Sequence, residues 1–406
     1  LVLAPSVAEA AYVAARLRHA GHPVALLPRE WARAAAWAPR PRLGAVVVLD
    51  EHDEVYQEER APTWNARDVV VERARRRGVP AVLTSPCPSL DTLSTIPLLT
   101  PSRTEEREGW PVVEVVDRRG EEPGLGLYSS RLVELVRSAD HDRRVVCVLN
   151  RRGRARLLAC GTCGELARCE ECGAVVEEAD SGLRCRRCRA GRPFVCAACG
   201  SARLRVLRAG VSRVRDDLER LAGRPVAEVT ADLAPGPLPG APVLVGTEAV
   251  LHRAARAAVV AFLDLDQELV APRWRAGEEA LALLARAARV LGGRADGGRL
   301  LLQTRLPDHE VVDAVVHADP SRLAVVEGAR RVALGFPPER AVAVVSGEAS
   351  PAFAAALSGA GDVEVVGPAD GRWLVRAPDH RTLCDALAGT PRPKGRLRVA
   401  VDPLRT

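Results

Sequence analysis

The sequence predicts an α/β protein that carries an inserted cysteine-rich module and ends in a small α+β domain. Over residues 1–105 and again over 206–335, short apolar runs alternate with amphipathic stretches, which is typical of parallel strands covered by helices. Four CxxC pairs lie between residues 160 and 199, and from about residue 336 the predicted strands and helices become shorter. These three observations together indicate the fold class.

The first segment, residues 1–105, has clear helix signals between its strands. Ser6, followed by Glu9 three residues later, is a capping box, and Asn65 is a second N-cap. Gly21 and Gly78 follow the last periodic positions of these helices and are predicted to end them. Four apolar runs are predicted strands: residues 1–5, 23–28, 44–50 and 80–85.

The α/β pattern continues beyond the first segment. Residues 106–150 are predicted to be a polar connection, then a helix, then a strand at 143–150 where a second α/β lobe begins. That lobe resumes over residues 206–335, with predicted helices at 211–223 and 277–293 and strands at 225–232, 241–250, 257–266 and 297–304. The small α+β domain occupies residues 336–406.

Residues 151–205 form the cysteine module, which holds eight of the chain's eleven cysteines. A CxxC turn directs two thiolates at one point, so two turns complete one tetrahedral zinc site and four turns complete two. The segment between the inner pairs is predicted to form a β-hairpin with its turn near Asp180, Ser181 and Gly182. A hairpin flanked by two CxxC pairs is a zinc ribbon. The outer pairs would close a second site around it, although the spacing also allows sequential pairing. The predicted ligands are Cys160, Cys163, Cys169, Cys172, Cys185, Cys188, Cys196 and Cys199.

The alternative for these cysteines is a set of two to four disulfides. It is disfavoured because the first residues do not resemble a signal peptide, and because a redox CxxC normally occurs as one pair at the start of a helix. Four thiolates for each ion leave no coordination position open, so we expect two structural zinc ions. Gly164, Gly173 and Gly200 each follow the second cysteine of a pair, where a knuckle turn often needs positive φ.

Composition limits the remaining functions. The net charge of +6 permits nucleic acid as a partner without requiring it. No apolar run reaches membrane-spanning length, and we expect a soluble cytoplasmic protein with no membrane contact. Because the chain contains no methionine, we expect that part of its N-terminus is missing. Lys394 is the only lysine and lies outside any GxxxxGK[ST] context, so these residues contain no P-loop.

Several stretches, in order along nearly the whole chain, resemble PriA, the primosomal replication-restart helicase family of superfamily 2. The most specific is residues 146–160, which is similar to the LNRRG entry into the family's two-zinc module. Residues 49–93 are similar to the family's DEEH, ARD and SATPS segments. Further similar stretches lie at residues 1–6, 243–250, 262–269, 301–310, 335–338 and 398–403.

The resemblance implies two RecA-like helicase lobes, the first incomplete because the family's P-loop and N-terminal DNA-binding region would precede residue 1. It implies that the zinc module is inserted in the second lobe and that the cysteines pair in the nested way, outer with outer and inner with inner. The implied partners are forked or single-stranded DNA together with primosome and replication proteins, including helicase-loading and single-strand-binding proteins. The implied location is the nucleoid.

The segments that would contact nucleotide depart from the family pattern at four places. Alignment on the His-Asp pair that follows Glu51 puts Leu49 at the magnesium-binding position and Asp50 at the catalytic position; a shift by one residue would give these roles to Asp50 and Glu51. The SATPS equivalent at residues 85–89 lacks its Ala-Thr pair, and residues 250–255 lack the expected Lys-Gly.

The fourth departure is in the arginine-finger motif, which keeps Arg294 but carries Leu291 where the first arginine is expected. An arginine finger stabilises charge on the transferring phosphate, and a leucine cannot do so. We therefore predict a helicase-dead relative of an actinobacterial type. It would have no catalytic and no nucleotide-binding residue among these positions, and binding of ATP with Mg²⁺ is doubtful.

The main hypothesis is a replication-restart primosome component that binds branched DNA and partner proteins without helicase activity. The alternatives are an active ATP-dependent 3′→5′ DNA helicase whose P-loop lies upstream, and a zinc-ribbon adaptor that binds nucleic acid. The densest basic region suits contact with a phosphate backbone and equally an ordinary arginine-rich surface. Its residues are Arg151, Arg152, Arg154, Arg156, Arg184, Arg186, Arg187, Arg189 and Arg192.

Overall fold

The computed structural model describes residues 1–24, 32–39, 42–61, 63–120, 127–149, 158–179, 182–185, 188–206, 211–230, 233, 236 and 238–404, and the account below concerns these residues. The chain folds as two compact units. The first comprises residues 1–98 and 324–406, and the second comprises residues 99–323. Within the described ranges, none of the helices combines the length and the apolar character needed to cross a bilayer.

The first unit contains a parallel three-stranded sheet with the order β1-β2-β5. Its strands are β1 (Val2–Leu3), β2 (Val46–Leu49) and β5 (Ala81–Thr84), and a short antiparallel pair is formed by β3 (Gln57–Glu58) and β4 (Trp64–Asn65). Its helices are α1 (Val7–His19), α2 (Ala32–Ala35), α3 (Ala66–Arg77) and α4 (Leu90–Leu93). Of the strand predicted at 23–28, residues 25–28 lie outside the described residues.

Local hydrogen bonds explain where the helices of this sheet begin and end. The side chain of Ser6 accepts a hydrogen bond from the backbone N–H of Glu9, and the side chain of Asn65 accepts one from the N–H of Arg67. Gly78 ends α3 in the left-handed conformation at φ 63°. These predicted caps are confirmed. Strands β1 and β2 pack against α3 through a buried cluster that includes Leu3, Val46, Val48, Ala66 and Val70.

The first unit also contains an antiparallel four-stranded sheet with the order β18-β19-β17-β20. The elements are β17 (Ala341–Ser346), α13 (Ser350–Leu357), β18 (Glu364–Ala369), β19 (Arg372–Ala377), α14 (His380–Gly389) and β20 (Arg398–Val401). Phe353, Leu357 and Leu383 of the two helices are buried against the sheet. The strand β18 was not predicted.

The second unit is built on a six-stranded parallel sheet with the order β13-β14-β7-β15-β16-β6. Its strands are β6 (Val112–Asp117), β7 (Val145–Val148), β13 (Val226–Val229), β14 (Val243–Gly246), β15 (Val259–Phe262) and β16 (Arg299–Thr304). The helices are α5 (Arg103–Glu108), α6 (Ser130–Arg137), α7 (Val211–Ala222), α8 (Ala249–Arg253), α9 (Asp266–Leu269), α10 (Ala276–Leu291) and α11 (Glu310–Val316); α12 (Pro320–Leu334) begins in this unit and ends in the first.

The edge strand β6 differs from the sequence-based expectation, which placed a polar connection there. Its residues are only partly buried because the strand has a neighbour on one side, and the charged positions Glu114 and Asp117 hide the strand pattern. How the chain divides into helicase lobes and a C-terminal domain stays a prediction.

The cysteine module lies between β7 and β13. Its first strand, β8 (Leu158–Cys160), pairs antiparallel with its last, β12 (Leu204–Val206), so the two ends of the module close on each other. Between them, β9 (Val176–Ala179), β10 (Gly182–Cys185) and β11 (Gly191–Arg192) form an antiparallel sheet. The predicted ribbon hairpin is confirmed, while Asp180 and Ser181 of its turn lie outside the described residues.

Candidate metal centres

Each CxxC pair folds into the same tight turn, in which the residue after the second cysteine has positive φ. Its backbone N–H donates to the carbonyl oxygen of the first cysteine over 2.9–3.1 Å in all four turns. Gly164, Gly173 and Gly200 occupy this position with φ of 71–76°, as predicted. In the fourth turn the position is held by Arg189 at φ 67°, a conformation that glycine adopts without strain and other residues do not.

The four turns bring the eight cysteines together in two groups, in the nested arrangement. The outer group is Cys160, Cys163, Cys196 and Cys199, and the inner group is Cys169, Cys172, Cys185 and Cys188; within each group the sulfur atoms all lie within 4.8 Å of one another. Sulfur atoms from opposite turns approach to 3.6 Å in the outer group and to 3.4–3.5 Å in the inner group.

These distances fit a metal ion held by four sulfurs and do not fit disulfides. Four thiolates at about 2.3 Å from a zinc ion stand about 3.8 Å apart, whereas a disulfide needs about 2.05 Å. The donor set is sulfur only, which favours zinc over harder cations such as Mg²⁺ or Ca²⁺. The eight residues could therefore hold two zinc ions, whose role would be to fold the module and whose coordination would be closed to substrate.

The two groups are supported differently. In the inner group, Cys169 and Cys185 belong to a buried cluster with Leu158, Val176 and Leu183. In the outer group, Cys163 and Cys199 are both exposed, although Cys160 is fully buried. Burial opposes ionisation of the Cys160 thiol, but the backbone N–H groups of Cys163 and Thr162 outweigh this and lower its pKa.

A second group of polar residues gathers in the first unit, at the carboxyl ends of β2 and β5. The carboxylate of Glu51 is 2% exposed and accepts hydrogen bonds from the backbone N–H and the hydroxyl of Ser89 and from the hydroxyl of Thr92, over 2.7–2.9 Å. It also forms a buried ion pair with Arg67, at 2.9 Å. Glu51 therefore joins the loop after β2 to the loop after β5.

The neighbours of Glu51 also have structural contacts. Ring nitrogen Nδ1 of His52 lies 2.7 Å from the hydroxyl oxygen of Ser85. Asp50 is buried with φ at 51°, and the hydroxyl of Tyr56 donates to the carbonyl oxygen of Leu49 over 2.6 Å. The sequence identified this acidic loop and the segment at residues 85–89 separately, and the structure brings them together.

Sequence reasoning missed Arg67 as the partner of Glu51, although one signal was available. Arg67 lies in the first turn of α3, where the helix dipole disfavours a cation unless a carboxylate compensates for it. Thr92 gave no such signal.

The basic region is only partly described. Arg151, Arg152, Arg154, Arg156, Arg186 and Arg187 lie outside the described residues, whereas Arg184 and Arg189 are exposed. Arg192 bonds through its guanidinium to the carbonyl oxygens of Val195 and Arg168, so it has a structural role in the module.

The chain was compared with family models and with curated proteins. No family model matches the chain. The chain is 26% identical over 375 residues to the replication restart protein PriA of Bacillus subtilis, covering 83% of this chain and 46% of that protein. It is 30% identical over 395 residues to the probable replication restart protein PriA of Mycobacterium leprae, covering 91% of this chain and 59% of that protein. The chain belongs to the PriA family. The predicted resemblance is therefore confirmed.

A third PriA protein, from Haemophilus influenzae, is 27% identical over 342 residues, which are 78% of this chain and 47% of that protein. The chain thus spans about half the length of the curated PriA relatives it matches. The activity, substrates and partners of a whole PriA protein therefore enter only as proposals.

Proposed function

We propose that this chain is a zinc-stabilised replication-restart protein that binds branched DNA and primosome proteins but does not unwind DNA. Its membership of the PriA family supports the role in restart. The proposed lack of helicase activity rests mainly on one observation, the buried carboxylate of Glu51, which accepts four hydrogen bonds from protein groups. In this role the protein would act at the nucleoid, in contact with single-strand-binding and helicase-loading proteins.

An ATP-hydrolysing carboxylate must accept a proton from water or bind a magnesium ion. The carboxylate of Glu51 accepts four hydrogen bonds from Ser89, Thr92 and Arg67, three at Oε2 and one at Oε1, so most of its acceptor capacity is used within the protein. The guanidinium of Arg67 also supplies a positive charge directly at this carboxylate. The alignment that would restore catalytic roles to Asp50 and Glu51 is therefore disfavoured, and the acidic loop is better explained as a structural link.

The arginine-finger position supports the same proposal. Leu291 is 1% exposed at the end of α10, so it is a core residue that cannot reach a phosphate.

The test of helicase activity is ATP turnover by the full-length natural protein on forked DNA, with zinc content measured on the same sample. We expect no turnover above background. We expect Glu51→Gln to lower the melting temperature clearly, because breaking a buried ion pair typically costs about 3–5 kcal/mol. Turnover that depends on the fork and disappears in Glu51→Gln, without a loss of stability, would instead establish the active helicase.

The test of DNA binding is the salt dependence of fork affinity. Arg184 and Arg203 are exposed arginines of the cysteine module, and we expect Arg184→Gln and Arg203→Gln to weaken binding for all sequences and each to reduce the salt slope by about one. Arg220→Gln is the matched control, since it removes the same charge from an exposed position on α7. Equal effects of all three variants would indicate a non-specific response to net charge, and equal affinity for forks and duplexes would favour the general adaptor.

A further inference from the structure

The first turn of the outer group, Cys160–Gly164, contacts the carboxyl edge of the six-stranded sheet. The carbonyl oxygen of Gly164 accepts a buried hydrogen bond of 3.1 Å from Nη1 of Arg305. A methyl group at Gly164 would overlap the carbonyl oxygen of Arg119 and would lie 3.0 Å from Nη1 of Arg305. Only glycine therefore fits this turn against the sheet.

Arg305 is itself held in a fixed place. It follows β16 directly and is 6% exposed. Its backbone N–H donates to both carboxylate oxygens of Asp266, over 3.2 and 3.0 Å, and the hydroxyl of Thr304 also donates to Asp266. These bonds fix the backbone of Arg305, and its guanidinium bonds to the carbonyl oxygen of Gly164 and so defines the position of the turn.

The second turn of the outer group, Cys196–Gly200, has a different surrounding. A methyl group at Gly200 would meet no atom within 4 Å, and Cys199 is exposed. The described links of this region run to the first turn: the N–H of Gly161 donates to the carbonyl oxygen of Arg203, over 2.6 Å, and the hydroxyls of Thr162 and Ser201 are 2.8 Å apart. The second turn therefore closes onto a first turn that the sheet already positions.

We propose that Arg305 is a positioning residue for the outer metal centre. It holds the first turn on the sheet so that Cys160 and Cys163 meet Cys196 and Cys199 at the spacing a zinc ion needs. This inference rests on the proposed zinc occupancy. Residues that orient metal ligands without touching the metal typically contribute 10–100-fold to metal affinity. Removal of the guanidinium should therefore weaken one zinc site and leave the other unchanged.

The experiment is the rate of zinc release to an excess of a chromophoric chelator. In Arg305→Met we expect one of the two zinc ions to leave about 10-fold faster than in the unaltered chain, and the other to leave at the same rate. Arg305→Lys keeps the charge and one donor group, so it should give an intermediate rate. Arg299→Met is the matched control, since it removes an arginine from the opposite end of the same strand.

A chain in which the outer site has been removed shows which of the two zinc ions the Arg305 substitution affects. In a Cys163→Ser, Cys199→Ser chain, which should keep one zinc ion, Arg305→Met should no longer change the release rate. An unchanged rate in the full chain, equal acceleration of both ions, or a persisting effect in this background would each overturn the proposal. An unaltered chain without zinc would overturn the zinc assignment itself, which separates the two failures. If Arg305→Met does not fold, the zinc release rate of Arg305→Lys tests the same proposal.

Discussion

The outer and inner cysteine groups have the same ligands and the same turns, but they are embedded in different ways. The inner group sits on an apolar cluster that joins Val176 and Leu183 of the ribbon to Leu158 of β8. The outer group depends on hydrogen bonds, through Gly164 to the parallel sheet and through Thr162 between its two turns. Burial of apolar surface contributes in proportion to area, whereas polar contacts of this kind add only about 1 kcal/mol each.

This difference teaches that identical four-cysteine chemistry does not imply equal stability. Two of the outer cysteines are exposed, against one of the inner cysteines. The ribbon that carries the inner group lies between the two halves of the outer group along the chain, whereas no outer ligand lies between the inner ligands. We therefore expect the inner group to support the outer group, and not the reverse.

The largest expected effect comes from removing one ligand from each group. Cys185→Ser should abolish both zinc ions, because Cys185 is fully buried in the ribbon core and loss of the ribbon separates the outer turns. Cys199→Ser should abolish one zinc ion. Zinc content per chain measures this directly. Cys384→Ser is the control, since Cys384 is exposed and belongs to neither group, and it should keep two ions. Loss of one ion in both variants would show that the groups are independent.

A smaller effect is expected from the glycines of the turns. Gly164, Gly173 and Gly200 have nearly the same φ, so alanine should cost each turn about 1–2 kcal/mol in strain. Only at Gly164 does the added methyl also overlap a backbone atom, the carbonyl oxygen of Arg119. We expect Gly164→Ala to lower the free energy of unfolding the most and to release the outer zinc ion, as measured by urea unfolding and zinc content. Equal losses in the three variants would contradict the contact between the outer group and the sheet.

The sequence predicted the local parts of this arrangement and not the distant ones. The CxxC spacing indicated the turns, the glycines and the ribbon because these depend on a few neighbouring residues. Three more distant features gave no comparable signal. The contact between Arg305 and Gly164 joins residues 141 apart in the chain. The network of Glu51 brings in Ser89, 38 residues away. The edge strand β6 was hidden by its own charged residues.

The acidic loop at residues 50–53 shows that the prediction of function from sequence has the same limit. Its motif could be aligned in two ways, and nothing in the order of residues could decide between them. The structure adds the ion pair of Glu51 with Arg67 and its bonds to Ser89 and Thr92, which follow from how two loops meet at the edge of a sheet. Motif loss can be counted in a sequence, but what the remaining residues do in its place depends on tertiary contacts.

The smallest effect, and the sharpest test of the inner turns, concerns Arg189. At φ 67° it carries the strain that glycine avoids in the three other turns. Arg189→Ala removes the side-chain contacts but keeps the strain, whereas Arg189→Gly removes both. The Gly variant should therefore be more stable than the Ala variant by about 1 kcal/mol in urea unfolding, with the greater flexibility of the unfolded glycine reducing this difference somewhat. Equal stabilities would mean that the turn does not hold positive φ. If the Gly variant is also more stable than the unaltered chain, the strain at Arg189 lowers the stability of the inner group in the natural sequence. The difference in stability between the inner and the outer group is then smaller than their cores alone suggest.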